Sequence, residues 1–218
     1  MRLVIVSDTH GMQDQMSFPE GDVLLHCGDF CMGGGPKELT QMLTWFDKLE
    51  YRHKICIAGN HDIHAEGNTP FVRDALKEFN SHYLFESGIT IDGIKFWGSP
   101  IQPEFHDWAF NRTKQFRSTY WREKLPDDVD VLLTHSPPKN ILDVNHMGWN
   151  VGCKHLAMGV QLVRPLLHCF GHIHESRGIV AYDGVSYVNA SMVDFGMAPI
   201  HNAWVLDIDP PIVSLESF

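Results

Sequence analysis

The 218-residue chain has no apolar run approaching the roughly 18–20 residues needed to cross a bilayer, so it offers no candidate membrane span. Its opening run, Leu3 to Val6, is too short for the apolar part of a secretory signal, and no small-residue cleavage site follows it. A soluble, cytoplasmic protein is the expectation. Cysteine is sparse: five residues, an odd number with no C-x-x-C pair, and Cys27, Cys56 and Cys169 sit inside apolar runs. This pattern speaks against a disulfide framework and predicts buried free thiols in a reducing compartment. Basic residues are few as well. Seventeen Lys and Arg against 27 Asp and Glu leave a net charge of −10, which argues against stable binding of nucleic acid through phosphate neutralisation. Internal repeats, low-complexity tracts and linkers are lacking, so the length and the 44% apolar content suit one domain over 1–218.

What the chain has is histidine, 14 residues of it, set among short apolar runs that alternate with helical patterns. Strand candidates are 3–6, 23–27, 54–58, 129–133 and 166–170, then 89–91, 94–98, 178–182, 185–189 and 203–208, with an apolar tail at 212–215. Leu39, Met42, Leu43, Phe46 and Leu49 recur with the spacing of one helical face, and Pro36 suits a first helical position. A second helix is expected from Thr69 as N-cap and Pro70 at N1, and two more over about 113–124 and 153–163. Alternation in the first half implies a parallel sheet with helical crossovers. The second half reads as hairpins, with Asp183-Gly184 as a turn. The fold class is mixed α/β.

Each of five apolar runs ends in oxygen or imidazole donors. The first is followed by Asp8 and His10, the second by Gly28-Asp29, the third by Gly59-Asn60-His61-Asp62, the fourth by Thr134-His135 and the fifth by Gly171-His172-Ile173-His174. Residues i and i+2 of an extended chain point the same way, so Asp8 and His10 converge if that geometry persists. Sites in open α/β sheets form at the carboxyl ends of parallel strands, where five such endings would meet. Singly, Asp8, Asp29 and Asn60 read as turn or cap residues; jointly they require a common cause.

The ordered blocks D-x-H, G-D, G-N-H-D, T-H and G-H-x-H resemble the calcineurin-like metallophosphoesterase superfamily, over the chain from its first strand to at least His174. The stretches "GDVLLHCGDF", "IAGNHD", "THSPP", "VGC", "VRP" and "NAS" are similar to the metallophosphoesterase-domain-containing proteins related to class III cyclic-nucleotide phosphodiesterases. Some of that group carry Gly in place of the first His of G-H-x-H, whereas His172 is present in this chain. The resemblance implies a four-layer α-β-β-α sandwich of two mixed sheets flanked by helices. It implies two divalent ions, one on Asp8, His10 and His174 and one on Asn60, His135 and His172, with Asp29 bridging. The donors contain no thiolate, which suits Mn²⁺ foremost, or Fe or Zn²⁺. It further implies attack on phosphorus by a hydroxide shared between the ions, with catalytic His61 contacting the phosphate or protonating the leaving group.

The implied substrate is a small anionic phosphodiester, a 2′,3′- or 3′,5′-cyclic nucleotide first. A phosphomonoester or pyrophosphate of a small nucleotide, a nuclease substrate, and a non-catalytic scaffold on the same fold stand as alternatives. Phe105, Trp108 and Phe110 beside Asn111 and Arg112 form either a base-stacking wall or packing on the sheet. Trp149 or His146 is a second candidate for the pocket rim. His26 and His168, inside apolar runs, read as strand residues satisfied locally.

Overall fold

Alternate residues of the first strand serve two different cores, and this decides the layering. In the computed structural model, which describes residues 1–76 and 80–209, Leu3 and Ile5 pack in one apolar cluster and Val4 and Val6 in another. The elements in chain order are β1 (Arg2–Val6), β2 (Val23–His26), α1 (Pro36–Lys48), β3 (His53–Cys56), α2 (Ile63–Glu66), α3 (Thr69–Leu76) and β4 (Ser81–Tyr83). There follow β5 (Ser87–Ile91), β6 (Ile94–Ser99), β7 (Gln102–Pro103), β8 (Asn111–Arg112), α4 (Lys114–Lys124) and β9 (Val131–Thr134). The rest are α5 (Lys154–Val163), β10 (Leu167–Phe170), β11 (Gly178–Tyr182), β12 (Val185–Asn189) and β13 (Trp204–Asp207). The apolar tail at 212–215 lies outside the described residues.

One sheet has the order β13-β1-β2-β3-β4, parallel from β1 to β4 as strand–helix alternation requires, with β13 antiparallel at its edge. The other has the order β11-β12-β10-β9-β6-β5. Only its rims are hairpins, each closed by an Asp-Gly pair with both residues at positive φ: Asp92 and Gly93, Asp183 and Gly184. Its centre, β6, β9, β10 and β12, is parallel, which corrects the expectation of hairpins alone. The apolar runs at 131–133 and 167–170 are buried on both faces, as parallel strands between two layers must be.

Leu3, Ile5, Leu25 and Ile55 meet Phe96, Val131, Leu133 and Cys169 between the sheets. Val4, Val6 and Leu24 pack outward on α1 through Leu39, Met42 and Phe46. Trp97, Leu132 and Phe170 pack outward on α4 and α5 through Trp121, Leu156 and Val160. Four layers result, helix–sheet–sheet–helix, as the family resemblance implies. The helix at 69 starts one residue early: the Asn68 carbonyl accepts from Val72, so Asn68 takes the cap position that Thr69 was expected to hold. All five cysteines are free and buried. Among the described residues no helix is long and apolar enough to cross a membrane.

Candidate metal centre

The carboxyl ends of β1, β2, β3, β9 and β10 lead into loops that share one site. The extended geometry of β1 does not persist, contrary to the simplest account of D-x-H: Asp8 has φ 56° and His10 φ 45°. Both are held there by neighbouring backbone, Asp8 N–H donating to Gly28 O at 2.9 Å and His10 N–H to Asp29 O at 3.0 Å. Asp29 (φ 55°) and His172 (φ 69°) are also left-handed, a conformation that Asp and His tolerate better than bulkier residues and that clusters at functional sites. Gly28 permits the crossing of two of these loops, since a Cβ there would lie 2.6 Å from Gly59 N.

The turns aim the side chains at common points. Ligand atoms of Asp8, His10 and His174 lie within 4.8 Å of one another, and so do those of Asp29, His135 and His172. Asp29 also forms a third group of this kind with His10 and His61. His174 Nε2 is 3.4 Å from Asp8 Oδ1 and 3.4 Å from His10 Nε2; His135 Nε2 is 3.3 Å from Asp29 Oδ2 and 2.9 Å from Asn60 Oδ1. The second nitrogen of three rings is committed to the backbone: His10 Nδ1 to Cys31 O, His135 Nδ1 to Cys27 O and His174 Nδ1 to Asp194 O. A carbonyl only accepts, so each Nδ1 carries a hydrogen and Nε2 is left to bind. Asp62, which sequence reasoning gave no role, ties two loops together by accepting from Gly59 N–H and Cys31 N–H.

Burial opposes charge on Asp8 and Asp29, yet the adjoining His174 and His135 outweigh it and hold both carboxyls well below their usual range. Burial likewise pushes His135 down, but the Asp29 carboxylate pulls it up to about 9, and Asp8 raises His174. Burial alone dominates at His172, down to about 3. At both pairs, His135 with Asp29 and His174 with Asp8, the carboxylate therefore favours a positive charge where a cation would be held. The linkage has a definite sign. His135, raised from 6.5, stabilises the metal-free fold fully below pH 6.5, and this contribution is lost as pH rises through about 9. A metal must displace the same Nε2 proton, so Mn²⁺ affinity is expected to rise over that window by about tenfold per pH unit for each proton released. Thermal unfolding of metal-free protein and calorimetric titration in buffers of different ionisation enthalpy measure the two opposite trends.

The donor set fits divalent first-row ions. It contains imidazole nitrogens, carboxylates and one carboxamide, while burial pushes the neighbouring Cys31 thiol far up and keeps it protonated. All seven ligand candidates and His61 come together at this one site.

The substrate-side candidates divide. Beside His172 and His174 opens a cleft of about 530 Å³ walled by Phe105, Val151, Phe195 and Met197. Trp108 is outside its lining and instead stacks on His61, with ring centroids 4.2 Å apart and planes at 31°. Phe110 is fully buried and packs near Phe85, so packing on the sheet is its role and it cannot touch substrate. Asn111 is spent inside its own loop, its Nδ2 donating to Phe105 O and His106 O, and so fixes the segment that bears Phe105. Trp149 projects into solvent and does not line the cleft, whereas His146 does. Phe195 and Met197 were not singled out from sequence; they follow the "NAS" block on a loop without apolar periodicity. Phe110→Ala is expected to cost about 3–5 kcal/mol of stability, read by denaturant unfolding, with little change in KM.

A family model described as calcineurin-like phosphoesterase matches residues 1–176. Metallophosphoesterase domain-containing protein 1 of Homo sapiens is 37% identical over 236 residues, covering 96% of this chain and 72% of that protein. A UPF0046 protein of Caenorhabditis elegans is 32% identical over 210 residues, covering 90% of this chain and 71% of that one. Among solved structures, TT1561 of Thermus thermophilus has the same fold, with a TM-score of 0.55 at 14% identity over 86% of this chain and 88% of its own.

Proposed function

The chain belongs to the calcineurin-like phosphoesterase family, and from that premise we propose that it is a binuclear metal-dependent hydrolase of small phosphodiesters, cyclic nucleotides foremost. The observation that carries the reading is the convergence of donors from five strand ends, with three imidazoles already oriented by carbonyls behind them. Asp8, His10 and His174 would hold one ion, and Asn60, His135 and His172 the other, with Asp29 shared. Mn²⁺ is the favoured ion, and Fe or Zn²⁺ suits the same donors. Such ions, when bound, supply Lewis acidity toward phosphoryl oxygens and acidify water.

The protein's own groups do the remaining work. The Nδ1–H bonds keep the rings of His10, His135 and His174 from turning and hold each Nε2 toward the site. His61 donates its backbone N–H to Asp29 Oδ1 at 2.7 Å and lies against Trp108, which fixes its ring beside the carboxylate that both ions would share. Its remaining role is to contact the phosphate or protonate the leaving oxygen. Phe105, Phe195 and Met197 give the cleft apolar walls that suit a nucleobase, while His172 and His174 mark its polar end. The chain's net charge of −10 disfavours long polyanions and not a small monoanion.

Turnover of 2′,3′-cyclic AMP, bis-p-nitrophenyl phosphate and p-nitrophenyl phosphate by the Mn²⁺-loaded chain tests the reading. Cleavage of both diesters in preference to the monoester supports it. Monoester cleavage alone would make the protein a phosphomonoesterase, and a metal-loaded chain inert to all three would make it a scaffold.

A further inference from the structure

A strap of four residues, Cys31 to Gly34, runs beside the site and presents two consecutive carbonyls to two of its histidines. Cys31 O accepts from His10 Nδ1 at 3.2 Å, and Met32 O from His61 Nδ1 at 2.6 Å. Nothing in the strap's own sequence holds it, since it contains two of the three consecutive glycines at 33–35. It is held from outside at three places. The Asp62 carboxylate accepts from Cys31 N–H at 2.9 Å. The Glu38 carboxylate, from the first turn of α1, accepts from three successive amides: Met32 N–H, and Gly33 N–H and Gly34 N–H at 2.9 Å each. Gly34 is in turn locked against the His61 loop, its carbonyl accepting from His64 N–H at 2.9 Å, where a Cβ would meet His61 O at 2.2 Å.

We propose that Glu38 is a positioning residue for His61: by fixing the three amides of the strap it aims the Met32 carbonyl at Nδ1, which holds the hydrogen there and leaves Nε2 as the nitrogen that faces substrate. The inference rests on the role given to His61 above. In that role the ring takes up a proton from solvent at Nε2 and passes it to the leaving oxygen as that oxygen's bond to phosphorus breaks, while the Nδ1 hydrogen stays on the ring, bonded to Met32 O, throughout. Glu38 bears most on His61, because the Gly33 N–H it holds shares a planar peptide unit with Met32 O. The unit that carries Cys31 O toward His10 is held by Glu38 through Met32 N–H and is also anchored next door, where Asp62 accepts from Cys31 N–H. A glutamate in the first turn that reaches back to amides before the helix is also an extended cap, worth stability in any protein. The two roles predict different results.

The test is a cycle of E38Q, H61A and the double variant in the full chain. The Gln amide nitrogen cannot accept, so E38Q forfeits part of the triple contact at constant size. With Zn²⁺ bound, ¹⁵N–¹H correlation of His61 is expected to show the Nδ1-protonated form in the parent chain and a mixture of tautomers in E38Q. With Mn²⁺ bound, kcat on 2′,3′-cyclic AMP is expected to fall by about tenfold at nearly constant KM, as a small misplacement of a catalytic group does. The loss on bis-p-nitrophenyl phosphate, whose leaving group needs little protonation, should be smaller, and E38Q should cost nothing further in H61A. An unchanged His61 tautomer in folded E38Q, or an equal loss from E38Q with and without His61, overturns the proposal. If E38Q fails to retain metal, E38D takes its place in the same cycle, keeping the charge but shortening the reach. Full activity of H61A would remove the premise about His61, while the tautomer measurement would still decide what Glu38 does.

Discussion

Asp29→Asn is expected to leave a folded chain that cannot retain two ions and turns over phosphodiesters at least about 10³-fold more slowly. Asp29 is the carboxylate that appears both with His10 and His61 and with His135 and His172. An asparagine offers one acceptor oxygen and a donor group in place of two acceptors, so it cannot serve both clusters. It also removes the anion that raises His135, which is fully buried. Metal polarisation of a phosphoryl group is worth several kcal/mol, and each 1.36 kcal/mol is a factor of ten in rate. Elemental analysis, circular dichroism and turnover on the same preparation separate loss of metal from loss of fold. A variant that kept two equivalents of metal and turned over within tenfold of the parent would show that Asp29 is not shared between ions.

His61→Ala has a different signature: metal is retained, and turnover falls by about 10²–10⁴-fold, the usual worth of a positioned acid or base. The side chain of His61 is held by Met32 O and Trp108; a ring nitrogen lies within 4.8 Å of Asp29 and His10 ligand atoms, but the hydrogen bond to Asp29 comes from its backbone N–H. Removing the ring therefore spares the bond that orients the carboxylate. The fall should be largest for alkoxide leaving groups. Loss of metal in parallel with activity would instead make His61 a ligand.

The residues that converge were legible because each follows directly on a buried apolar run, at a strand end where a polar side chain has no structural need to be. Asp8, Asn60, His135 and His174 are more than 50 residues apart in any adjacent pair except the last, yet residue type and strand end sufficed to group them. The way Asp8 and His10 converge was not legible. A left-handed turn is decided by amides and carbonyls of the Gly28–Asp29 loop, which carry no residue-type signal. The same blindness hides Glu38 and Asp62, whose partners are backbone amides, and the Asp194 carbonyl, itself a backbone atom, that accepts from His174 Nδ1.

In the fold, burial on both faces made β9 and β10 continuous apolar runs, so periodicity could not show their parallel pairing or which residue faces which layer. Phe110 misled for a related reason. It lies in a polar, aromatic loop that suggested a wall, but it immediately precedes β8 and turns inward, while Phe105, held by Asn111, stays exposed beside His172.

Crystals of the Mn²⁺-loaded chain, with anomalous differences measured at the manganese edge, put the central claim to its most direct test. Two peaks are expected, one among Asp8, His10 and His174 and one among Asn60, His135 and His172, with the Asp29 carboxylate between them. A single peak, or none at these side chains in protein that hydrolyses phosphodiesters, would contradict the account.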